Sequence, residues 1–285
     1  MANVQLLRPR SLDEALDALD RTADDATIMA GGTIVMYAYH AQLLDPSILL
    51  YLGDAGLGGV SSDGQTISIG ATTSLLKTAD SLPATPRGSA FAAAIRQIGT
   101  RALQAQGTLG GNLFAPPPSG DLVPAMIALD ASVRLCSRSG ERQLAVEDFV
   151  QDLGTTAIRE GELLTAISIP ADGGALGYER FTYSRGLAPA IVTAAAWVDV
   201  DDVGVCRGAR IAVSGAGAHA FRATHAEQAL SGQSLANGAI ADAGRLAAEQ
   251  ADPDDDGLAS AWYRRRLTAV LVERALRGAT NGGRA

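Results

Sequence analysis

This chain of 285 residues reads as an α+β protein. Its last third places strands first and helices afterwards, the order of a fold that segregates its elements. Its first two thirds mix short helices with period-two strands. The length exceeds what one small core needs, so packed units are expected at 1–56, 57–172 and 173–285.

In the first unit, Ser11 stands before a helix over Leu12–Leu19, with Glu14 three residues on, a capping box. Thr27-Ile28-Met29-Ala30 reads as a strand running into Gly31-Gly32, and Ile48–Leu52 as a second strand. In the second unit Thr66–Ala71 alternates with period two, a strand. Ser74 opens a short helix, and Ser89–Ile98 is a small-residue buried helix. A glycine loop, Gly107–Asn112, follows, and then a stiff proline run at Pro116-Pro117-Pro118. Asp121–Leu129 reads as a helix with Pro124 in its first turn, where the missing N–H costs nothing. Ala131–Cys136 and Leu163–Ile169 are strands, and Pro170 ends the latter. The third unit has strands near Tyr178–Tyr183, Ile191–Val200 and Ala209–Val213, with a turn at Asp199–Gly204. Helices are expected near Ala223–Leu230, Ile240–Gln250 and Ala259–Leu276, and a frayed tail from Gly278.

Composition excludes several roles. The net charge is −8 with pI near 4.9 and no dense basic stripe, so nucleic acid is not a partner. Arg264-Arg265-Arg266 is read as a solvated or interface face. No stretch approaches the about 18 apolar residues of a membrane span. The N-terminal Met1–Val4 does not look like a secretory signal. Cys136 and Cys206 are isolated and cannot supply the four thiolates of an iron–sulfur or zinc site. They read as reduced, buried thiols, and the expected location is cytoplasmic. His40, His219 and His225 do not cluster, so no metal is expected. No hydrolase elbow or Walker sequence is present.

Two glycine segments carry the chemistry. One is Ala30-Gly31-Gly32-Thr33 and the other Gly107-Thr108-Leu109-Gly110-Gly111-Asn112. Paired glycines reach positive φ and let a ligand approach the backbone. Successive N–H groups in such bends form a concave anion site. Two of them, with hydroxyls at Thr33 and Thr108, point to one long phosphate-bearing ligand held from both sides.

The order of motifs is sharper than either pair. Ala-Gly-Gly-Thr is followed by Ile69-Gly70-Ala71-Thr72-Thr73, by Gly107–Leu113, and by Ser119-Gly120-Asp121-Leu122-Val123-Pro124-Ala125. Arg210–Gly215 and Ala261–Leu267 complete the set. Over nearly its whole length the chain resembles the FAD-binding, or medium, subunit of the molybdenum hydroxylases, the carbon monoxide dehydrogenase and xanthine dehydrogenase-like enzymes. The resemblance implies a two-part FAD-binding domain of the vanillyl-alcohol-oxidase (PCMH) type and a smaller C-terminal domain of sheet then helices. It places Met29, Ala30, Gly31, Gly32, Thr33 and Ile34 around the FAD diphosphate. Thr108, Gly110, Gly111 and Asn112 would lie on its other side or on the ribityl chain, and Asp121 would hold FAD hydroxyls. Ile98 and Leu164 match apolar positions against the cofactor, although Leu164 fits equally well as strand core. Tyr183 reads either as a residue against the isoalloxazine or as part of a half-buried sheet.

The resemblance also implies an oxidoreductase subunit with no catalytic residue of its own. A small subunit with [2Fe–2S] clusters would feed it electrons from a large molybdopterin subunit, in a dimer of heterotrimers. The acceptor, whether quinone, oxygen, NAD or another, stays open, as does the substrate. Two departures stand out. Relatives' Gln-Ile-Arg-Asn-Arg-like stretch reads Ala102–Gln106 here, and a lysine some relatives place near the flavin is missing near Phe181 and Thr182. The alternatives are a self-contained FAD oxidase and a flavin-free assembly subunit.

Overall fold

The computed structural model describes residues 4–22, 25–115, 120–151, 155–184 and 188–282. The proline run at 116–118 lies outside them.

The N-terminal part comprises β1 (Gln5–Leu7), α1 (Leu12–Thr22), β2 (Ala26–Met29), α2 (Val35–His40) and β3 (Ile48–Tyr51). Its strands form a parallel sheet in the order β1-β3-β2. Ser11 Oγ accepts from Glu14 N at 3.1 Å, while Glu14 Oε2 accepts from Arg10 N at 2.8 Å. That satisfies donors the first turn leaves open. Ala15, Leu16, Ala18 and Leu19 then pack with Leu50, Leu52 and Leu163.

The middle part holds β4 (Val60–Ser62), β5 (Thr66–Gly70), α3 (Leu75–Ser81), α4 (Pro86–Arg96), α5 (Arg101–Gln106), α6 (Leu109–Leu113), α7 (Val123–Ala128), β6 (Ser132–Ser137), β7 (Gly140–Ala145), α8 (Val146–Phe149) and β8 (Leu163–Pro170). The antiparallel sheet runs β4-β5-β8-β6-β7. Ile67 and Ile69 of β5 are fully buried, as its alternation predicts, and share a core with Phe91, Ile95, Leu109 and Met126.

The C-terminal part is an antiparallel sheet, β12-β11-β10-β9, built from β9 (Ala175–Thr182), β10 (Ala190–Val200), β11 (Cys206–Ser214) and β12 (Phe221–Arg222). Helices α9 (Thr224–Leu230), α10 (Asn237–Gln250) and α11 (Ala261–Gly282) follow. β10 is buried on both faces because it is made of small residues. Ala194 and Ala196 belong to the C-terminal core and Ala195 to the middle one. The joint is pinned as well. Arg87, buried in α4, donates to Pro170 O at 3.1 Å and Gly173 O at 2.9 Å, and its guanidinium sits over the Trp197 ring.

Three expectations need correcting. Gly107–Asn112 is not a loop: Thr100 and Thr108 cap two short helices, each hydroxyl accepting from an N–H three residues on. The small-residue helix starts at Pro86, not Ser89, because Thr85 caps it and Pro86 suits its first turn. The tail is not frayed from Gly278. α11 continues to Gly282, with Ala279 buried, and it lies so close to β9 that a Cβ on Gly177 would overlap the Ala275 carbonyl.

Candidate functional site

The first bend leaves β2 at Met29 and ends where α2 begins. Gly32 has φ +72°, the left-handed region that favours glycine. A Cβ on Gly31 would overlap the Gln106 carbonyl oxygen and come within 3.0 Å of Gly107 Cα. Glycine is therefore required where the first bend meets the end of α5. A Cβ on Gly107 would lie 3.5 Å from Thr33 Oγ1, so the two glycine segments adjoin.

Their hydrogen bonding differs. Among the described residues, the N–H groups of Gly31, Gly32, Thr33 and Ile34 have no protein acceptor, although Gly32 O and Ile34 O accept from Met36 and Ala38. In the second segment Gly110 N donates to Ala71 O at 3.0 Å and Gly111 N to Thr108 Oγ1 at 3.0 Å. Gly110 and Gly111 are helical and show no positive φ. Gly110 is small because α6 abuts the end of β5: a Cβ there would sit 2.6 Å from Ala71 O.

Between the segments lies a cavity of about 470 Å³. Met29, Ala30, Gly31 and Gly32 line it from one side, Gln106 and Thr108 from the other, with Met36, Tyr51 and Thr72 completing the wall. A second hollow of about 400 Å³, lined by Leu12, Gly56–Val60, Arg134 and Cys136 among others, contains none of the predicted site residues.

A second group gathers beyond the far end of α6. Asn112 Oδ1 accepts from Leu122 N at 3.2 Å, which fixes Asp121 beside it. Asp121 is 3% exposed and its Oδ2 accepts from Arg180 Nη2 at 2.6 Å. Asp121 Oδ1 accepts from Ala190 N at 3.4 Å, and Tyr178 Oη donates to Asp121 O at 2.9 Å. Burial pushes the Asp121 carboxyl above its ordinary value, and Arg180 pulls it part of the way back. Burial also holds Tyr178 neutral, pushing its phenol pKa well above the usual range. Arg180 Nη1 donates to Gln97 O at 2.9 Å, and Gln104 Nε2 donates to the Ile98 carbonyl at 3.0 Å. Arg180 thus joins Asp121 to Gln97, the residue before Ile98, while Asn112 is tied to Leu122, the residue after Asp121. Leu164 is buried in the middle core, whereas Ile34 and Tyr183 are exposed, Tyr183 by 61%.

Sequence reasoning missed Arg180, Gln106 and Tyr51. For Arg180 a signal existed: Tyr178 and Arg180 share strand parity, and both reach Asp121. Gln106 and Tyr51 line the cavity through backbone geometry that no local motif announces.

Comparison with known proteins identifies the family. Residues 2–172 match the family described as FAD binding domain in molybdopterin dehydrogenase, and residues 180–279 match the CO dehydrogenase flavoprotein C-terminal domain. The chain belongs to this family. It is 32% identical to the carbon monoxide dehydrogenase medium chain of Afipia carboxidovorans, over 94% of either chain. It is 31% identical to the 6-hydroxypseudooxynicotine dehydrogenase complex subunit alpha of Paenarthrobacter nicotinovorans, over 96% of this chain and 93% of that one. A chain of the Hydrogenophaga pseudoflava carbon monoxide dehydrogenase superposes with TM-score 0.93 at 26% identity, covering 98% of both. The protein is thus a FAD-binding oxidoreductase subunit of the molybdenum hydroxylase type, and the α+β fold with its C-terminal flavoprotein domain is the family's. No helix among the described residues is long and apolar enough to cross a membrane.

The residues present suit FAD. The first bend offers unpaired N–H groups beside a cavity, at a point where a Cβ on Gly31 could not fit. Near the second group, Arg180 Nε is buried without an acceptor among the described residues. Each of the two groups therefore holds donors that have no acceptor among the described residues.

Proposed function

We propose that this chain holds one FAD without a covalent bond and passes electrons from a [2Fe–2S] subunit to an external acceptor. The small iron–sulfur subunit and a large molybdopterin subunit would complete a heterotrimer, doubled in the assembly. One observation carries the reading: four consecutive N–H groups, Gly31–Ile34, have no acceptor among the described residues, and Gly31 and Gly32 line a cavity whose opposite wall includes Gln106 and Thr108. Backbone N–H groups stabilise a diphosphate without a bound cation, because each aims a fixed dipole at the anion. In this reading Gly31 and Gly32 allow the close approach, Thr108 shapes the opposing wall, and Asp121 accepts from cofactor hydroxyls. Bound FAD would supply the redox chemistry, and the protein supplies binding, orientation and electrostatics.

The remaining machinery must come from partners. Cys136 and Cys206 are buried and separate, which leaves no ligand set for an iron–sulfur cluster in this chain. Two free thiols also support a reducing, cytoplasmic setting. The test is direct. Purified protein incubated with FAD and desalted should be yellow, with flavin absorbance near one equivalent. Co-expression with its neighbours should bring down three chains with molybdenum, iron and FAD. A colourless product that FAD cannot reconstitute would contradict the reading.

A further inference from the structure

Arg180 enters none of the glycine-segment chemistry, yet it is tightly held. Its side chain is 10% exposed and its partner's 4%. Its Nη atoms reach Asp121, Gln97 O and Ala188 O, which belong to three separate stretches of chain. Asp121 also accepts from Ala190 N, so the pair ties the foot of β10 to the start of α7. Arg180 Nε is buried and unpaired. An ion pair this deep gives little net stability, because desolvation offsets most of its Coulomb energy. It fixes geometry instead. A lone buried Asp121 would be free to rotate and would be protonated more readily.

We propose that Arg180 is a positioning residue of the cofactor site: it locks the Asp121 carboxylate, ionised and oriented, for hydroxyl donors of the bound FAD. This rests on the reading that Asp121 faces FAD. Arg180 acts through Asp121, so the two residues must be coupled in binding and not merely in folding.

The test is a double-mutant cycle on FAD affinity in the full chain, using R180Q, D121N and R180Q/D121N. R180Q should raise the FAD dissociation constant about tenfold or more, the scale of one lost charge-assisted hydrogen bond. The double variant should be no more than about threefold worse than the worse single variant. A pH series separates positioning from structure. Wild-type affinity should be flat from pH 6 to 9. R180Q should bind more tightly as pH rises, because Asp121, stripped of its cation, titrates at higher pH while Tyr178 stays neutral. If R180Q folds poorly, R180K keeps the charge but cannot span three acceptors, and it should show a smaller loss. Wild-type affinity in R180Q, multiplying effects in the double variant, or an equal loss at every pH would overturn the proposal. If D121N binds FAD as wild type does, it is the placement of Asp121 that fails, while FAD binding at the glycine bend stands.

Discussion

The two glycine pairs look interchangeable in sequence and do opposite things in the fold. Gly31-Gly32 leaves its N–H groups without acceptors among the described residues and uses one positive φ. Gly110-Gly111 is helical, with both N–H groups committed to Ala71 and Thr108. The first pair is a donor surface that also packs, through Gly31, against the Gln106 carbonyl. The second is a packing device that lets α6 sit against the end of β5 and form the facing wall. A glycine pair is thus a statement about missing Cβ atoms, and only the surrounding hydrogen bonds decide whether it serves a ligand or a neighbour.

The largest expected effect comes from reversing that packing role. Gly110→Val places carbon against the Ala71 carbonyl, a backbone contact that cannot yield cheaply. Overpacking of this kind costs about 1–3 kcal/mol or more, so the melting temperature should fall by several degrees and flavin should be lost with it. Gly31→Val strikes the interface between the segments. Here flavin content should collapse as well, and the melting temperature should fall as far as in Gly110→Val, because the Cβ would overlap the Gln106 backbone carbonyl. Unchanged thermal stability in Gly31→Val would contradict that close approach. Gly32→Ala is milder, since its Cβ would meet the flexible Met29 and Met36 side chains, at 3.2 and 3.4 Å. The strained φ costs about 1 kcal/mol, which predicts about a fivefold weaker FAD affinity by titration. Thr108→Ala removes a cap worth about 1 kcal/mol. It should lower thermal stability by a few degrees, and Thr108→Ser should restore it.

Sequence legibility followed the range of the interactions. The Ser11–Glu14 box, the alternation of Thr66–Gly70 and the C-terminal strands are local patterns, and the fold reproduces them. α5 and α6 were not legible, because glycine reads as a helix breaker and their capping threonines sit in a glycine-rich context. α2 buries no residue fully, so it has no apolar stripe to read. The helical tail is stabilised by contact with Gly177, about a hundred positions upstream. In the site, the glycine segments and Asp121 were visible as motifs. Arg180 shares strand parity with Tyr178, but that pattern does not name its partner Asp121, 59 residues away. The difference between the two pairs was not visible either, since it depends on a carbonyl, Ala71 O, supplied by another strand end.

The central claim is that the free N–H groups of the first bend take the cofactor's diphosphate. Residue-level amide hydrogen exchange with and without FAD measures this directly. The account predicts strong new protection at Gly31, Gly32, Thr33 and Ile34, and little change at Gly110 and Gly111, whose N–H groups are already bonded. Protection gained at Gly110 and Gly111 with none at Gly31–Ile34 would contradict it.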